Sequence, residues 1–149
     1  MKIISYSETK INLFIIISLF FHLTAAIFSI GSYNPDEHSC ILEYVNTKFG
    51  FDSDPCFNHF EFRSWLQHFI YYLISKILIV FNITDHFNWA FFYRLFSSIL
   101  GWSVIVLIVK NNTSIFSTRI TRNVFIFSSL FFWFYPFLHA RTSAENFSI

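Results

Sequence analysis

Apolar positions fall into three long runs and one shorter stripe. Ile11 to Ile30 carries no charge, and twenty residues at helical rise cover about 30 Å, one bilayer core. Ala90 to Val109 is apolar apart from Arg94, Ser97, Ser98 and Ser103, and Asn123 to Ala140 is rich in Phe with Pro136 near its exit. Each run predicts a membrane-spanning helix; Arg94, near the start of its run, reaches the headgroups by snorkelling. Leu66 to Phe81 differs. Leu66, Phe69, Ile70, Leu73, Ile74, Ile77, Leu78 and Phe81 recur at helical spacing, opposite Gln67, His68, Tyr71, Tyr72, Ser75 and Lys76. That alternation predicts an amphipathic helix lying flat at the interface, with its polar side to water.

Between the first run and this stripe lies an acidic loop, Gly31 to Trp65. It holds Asp36, Glu37, Glu43, Asp52, Asp54 and Glu61 against Lys48 and Arg63. Asn34 suits a helix N-cap, Pro35 a first helical position and Glu37 the capping-box acid three residues on. Ile41, Leu42, Val45 and Phe49 follow at helical spacing, and Gly50 is a natural stop. Asp36, Cys40, Glu43 and Thr47 share another face of that helix. Its first turn favours ionised carboxylates through the macrodipole, which suits a base better than an acid.

Charge sets the sides. Lys2, Lys10, Lys110, Arg119 and Arg122 fall where the positive-inside rule expects cytoplasmic residues, so the acidic loop faces outward. With Leu66 to Phe81 lying flat, Arg141 and Glu145 emerge on the side of Asp36. The first run is longer than a signal-peptide core, and no small-x-small site precedes Tyr33, so an anchor is expected and not a cleaved leader.

Hydrophobic residues make up 54% of the chain and charged ones 13%, far from the soluble norm, so the fold class expected is an all-α multi-pass membrane protein with a helical extracytoplasmic first loop. A net charge of +1 gives no electrostatic footprint for nucleic acid. The six histidines are scattered without metal-ligand spacing, and no P-loop, GxGxxG or paired CxxC occurs, so no cofactor or metal is expected. Cys40 and Cys56 form a disulfide or stay as two thiols; two cysteines do not decide between them. Asn82, Asn111, Asn112 and Asn146 head glycosylation-type triplets, which arise often by chance where Asn is frequent.

Three short stretches carry a resemblance: Pro35-Asp36-Glu37-His38 with Glu43, then Arg63-Ser64-Trp65, then Arg141-Thr142-Ser143-Ala144-Glu145-Asn146. In this order, after an apolar first segment, they resemble the N-terminal part of the type C membrane mannosyltransferases of lipid-linked oligosaccharide and GPI-anchor synthesis. The resemblance covers nearly the whole of residues 1–149, and such enzymes are longer, so a partial family member is expected. The apolar runs give spans 11–30, 90–109 and 123–140, with a first outer loop and interfacial helix over 31–89; what the resemblance adds is chemistry. It implies sugar transfer from a polyprenyl-phosphate donor to a glycan or glycolipid acceptor, with inversion. Asp36 would be the base and Glu37 its assistant, with Glu43, Arg63, Ser64, Arg141 and Glu145 binding substrate. The expected location is the endoplasmic reticulum membrane in a eukaryote or the inner membrane in a bacterium. Two other readings stand beside it: a small non-catalytic membrane subunit of a larger complex, and a transporter fragment. The latter is disfavoured because the acids sit outside the spans.

Overall fold

A computed structural model describes residues 3–29, 42–50 and 65–142. Among these the regular structure is helical throughout: α1 (Ile3–Phe28), α2 (Glu43–Phe49), α3 (Trp65–Val80), α4 (His86–Asn112), α5 (Arg119–Phe131) and α6 (Tyr135–His139), with a 3-10 turn at Thr113–Ile115. Two stretches, Lys10–Phe28 and His86–Ile115, are long and apolar enough to cross a membrane.

The helices begin and end for local reasons. Asp85 caps α4, accepting from the Phe87 amide at 3.4 Å, and Thr118 caps α5 by accepting from the Thr121 amide at 3.3 Å. Gly50 ends α2 as expected, in the left-handed region at φ 76°, where a side chain would be strained. The run Asn123 to Ala140 is not one helix. Phe132 leaves α5 with extended backbone, and α6 starts three residues later with Pro136 in its first turn. Within an uninterrupted helix the Pro136 ring would collide with the carbonyl of Phe132, four residues back, and the chain breaks there.

α4 is the central element. Ser98 Oγ donates to the His22 carbonyl at 2.8 Å and Trp102 Nε1 to the Ile15 carbonyl at 3.3 Å. Residue numbers rise on α4 as they fall on α1, so the two are antiparallel. Tyr71 meets Ser97 at 2.6 Å and the Ser75 and Tyr93 hydroxyls hydrogen-bond, so α3 is antiparallel to α4 as well. One apolar cluster joins Leu42, Val45, Tyr71, Leu78, Trp89 and Tyr93. A second joins Ile15, Ile105, Val106, Val109, Ile126 and Leu130.

The distribution of polarity is inverted relative to a water-soluble bundle. On α1, Ser18 and His22 are fully buried while Ile16, Phe20 and Phe28 are 63, 67 and 74% exposed. On α3, Gln67, His68, Tyr71 and Ser75 are buried, and Leu66, Phe69, Leu73 and Ile77 are exposed. The Gln67–His68–Tyr71–Ser75 part of the polar stripe therefore faces protein, while Tyr72 is half-buried, Lys76 is exposed and Leu78 of the apolar stripe is buried. The amphipathic period is as expected; the side it presents outward is the reverse.

Candidate functional site

Among the described residues the polar groups form two interior seams. The first crosses α1, α5 and α6. Ser18 Oγ donates to the Leu130 carbonyl at 2.9 Å, near the open end of α5, whose last carbonyls have no helical partner. His22 Nδ1 lies 2.9 Å from the Ser18 carbonyl. A carbonyl only accepts, so Nδ1 carries the proton, and in neutral His22 the Nε2 is an acceptor. His139 Nδ1 lies 3.2 Å from it and donates. His139 also stacks on Tyr135, centroids 5.6 Å apart, and covers Gly101 on α4. A β-carbon built on Gly101 would fall 2.7 Å from His139 Nδ1, so the close approach of α6 to α4 requires glycine.

The second seam runs along the inner face of α3. Gln67 Nε2 donates to the Thr142 carbonyl at 2.7 Å, a contact between residues 75 apart in sequence. Tyr71 and Ser75 continue the seam to Ser97 and Tyr93 on α4. His68 takes the Tyr44 ring edge-on at 5.0 Å, which fixes the start of α2 against the start of α3.

The first turn of α3 is thus a meeting point. Glu43 is the first residue of α2, one before Tyr44. Arg63 and Ser64 directly precede Trp65 in sequence. Arg141 precedes Thr142, and its guanidinium sits over the Phe137 ring at 4.5 Å. Asp36, Glu37, Arg63, Ser64 and Glu145 lie outside the described residues, as do Cys40 and Cys56. Arg94 folds back one turn, its Nε donating to the Ala90 carbonyl at 3.1 Å, the posture expected of a snorkelling arginine.

The sequence reading passed over the His22–His139 pair, because residues 117 apart share no spacing pattern. The α3 seam left a signal: Gln67, Tyr71 and Ser75 recur every four residues on a helix whose other side is apolar. No group of three or more metal-binding side chains occurs among the described residues. No family model, curated protein or solved structure matches the chain.

Proposed function

We propose that this chain is an integral membrane protein, the N-terminal portion of a glycosyltransferase using a polyprenyl-phosphate sugar, by resemblance mannose. The membrane part of the reading is supported by the inverted polarity. Within an apolar 18-residue window of each, only 22% of the Lys10–Phe28 helix and 33% of the His86–Ile115 helix is buried, whereas the core helix of a soluble protein is mostly buried. Lys110, Arg119 and Arg122 collect at one end of α4, as a cytoplasmic side requires.

The observation that carries the transferase part is the convergence on the first turn of α3. The Gln67–Thr142 bond and the Tyr44–His68 contact bring Thr142, next to Arg141, and the start of α2 at Glu43 to the first turn of α3. Glu43 belongs to the first stretch that carries the resemblance and Arg141-Thr142 to the third; the second, Arg63-Ser64-Trp65, runs into α3 in sequence.

The chemistry needs few groups. The Asp36 carboxylate takes the proton of an acceptor hydroxyl. The freed oxygen lone pair attacks the anomeric carbon from the face opposite the phosphate, forming the new glycosidic bond and inverting the centre. The bond from the anomeric carbon to the phosphate oxygen breaks, and the electron pair leaves with the lipid phosphate. Arg141 or Arg63 stabilises that charge through the forked guanidinium. Phosphate is already a good leaving group, so no general acid is needed. Glu37 and Glu43 hold acceptor hydroxyls.

The test is transfer. Membranes containing the intact protein are given radiolabelled polyprenyl-phosphate mannose and a mixture of glycolipid acceptors. Labelled product above that of control membranes is expected. Normal membrane accumulation without product would overturn the transferase reading in favour of a non-catalytic subunit.

A further inference from the structure

The apolar stripe of α3 is an unexpected outer surface, and its depth follows from the register of the helices. His22 lies opposite Ser98, and Ile15 opposite Trp102. Counting along antiparallel helices of equal rise from these two pairs, Phe28 is level with about residues 89–92 of α4, and Lys10 with about residues 107–110. These levels mark where the apolar part of α1 ends on each side. They are about 27 Å apart at 1.5 Å per residue, close to one hydrocarbon core. Tyr71 lies opposite Ser97, so α3 begins level with about residue 103 and ends level with about residue 88. It starts near the middle of the slab and rises to the outer boundary.

The charges agree with this placement. Lys76 is level with about residue 92, at the boundary, and its ammonium is exposed over the Tyr72 ring at 4.8 Å. Arg94 reaches back towards the same level. Below them, Leu66, Phe69 and Leu73 are exposed, and no charge stands on that part of α3. The polar groups that would be costly in hydrocarbon are turned inward and bonded: Gln67 to Thr142, Tyr71 to Ser97, Ser75 to Tyr93.

We propose that α3 is a half-depth helix whose Leu66–Phe69–Leu73 stripe is a binding surface for lipid acyl chains, with its first turn at mid-bilayer. The occupant is lipid because Phe20 and Phe21 of α1 and Ile99 of α4 are exposed apolar residues at the same levels. Arg141, beside Thr142, becomes a half-buried intramembrane arginine with its Nε inside the protein, a position that marks function. A lipid-borne donor would then approach the meeting point sideways, from the bilayer. The inference rests on the membrane part of the function proposed above and not on glycosyl transfer.

Depth measurement decides it. Nitroxide labels are placed singly by Leu66→Cys, Phe69→Cys, Leu73→Cys and Ile77→Cys in a background without Cys40 and Cys56. The intact protein is reconstituted in phosphatidylcholine vesicles, and depth is read from collision with oxygen against a water-soluble nickel chelate. Val104→Cys and Leu107→Cys on α4 serve as rulers. The half-depth helix predicts a steady decrease in depth, by about 16 Å from position 66 to position 77 at 1.5 Å per residue. Equal shallow depth at all four would overturn it in favour of a flat interfacial helix. Greatest depth at Leu73 with shallow ends would show a full crossing and overturn it too. Rulers accessible to nickel throughout would defeat the membrane reading itself.

Discussion

His139 donates from Nδ1 to Nε2 of His22 across 3.2 Å, and His22 in turn donates to the Ser18 carbonyl. This pair holds α6, and the chain that leaves it towards Thr142, against α1. His22→Leu leaves the His139 N–H without its acceptor and should destabilise the fold by about 1–3 kcal/mol. Thermal unfolding in detergent reads this as a lowered midpoint. A midpoint equal to that of the unsubstituted protein would remove the pair as a structural tie.

Gly101 tests the same contact from α4. Gly101→Ala forces the His139 ring away and should cost about 1–3 kcal/mol, as overpacking does. In a His139→Gly background the same change should cost much less, because both the ring and the β-carbon that obstruct it are gone. Additive effects of the two substitutions would mean that Gly101 and His139 do not meet.

The fold was legible where one helix decides the matter. The apolar runs of α1 and α4, the amphipathic period of α3 and the stop at Gly50 all follow from residues within a single element. The outward side of α3 did not follow. A helix with one polar and one apolar face fits a water surface or a bilayer interior equally well. The choice is made by partners far away in sequence: Thr142 for Gln67, Ser97 for Tyr71 and Tyr93 for Ser75. Pro136 did announce the break at Phe132, but an apolar run long enough to span concealed it. Of the residues expected at a site, only Glu43 and Arg141 lie among the described ones, and the buried histidines could not be read from sequence because their pairing is tertiary.

The inner seam of α3 is open to a coupling measurement. Tyr71→Phe and Ser97→Ala each delete one end of a buried 2.6 Å hydrogen bond. Their double-mutant cycle should show about 0.6–1.7 kcal/mol of coupling, the range for such bonds within membranes. Zero coupling would turn α3 away from α4.

Under the proposed function, Arg141 or Arg63 holds the donor phosphate. Arg141→Lys keeps the charge but loses the fork that matches two phosphate oxygens. A raised requirement for lipid donor is expected from Arg141→Lys or Arg63→Lys, with unchanged membrane insertion. Donor dependence identical to the parent in both variants would leave the leaving group without its partner.

The most direct measurement concerns Asp36. Asp36→Asn preserves size but removes the carboxylate that the proposed transfer uses as its base. In the intact protein, sugar transfer from polyprenyl phosphate should fall by about 100-fold or more, the usual contribution of general-base catalysis, while the protein accumulates normally in the membrane. Near-parental transfer by Asp36→Asn would contradict the account.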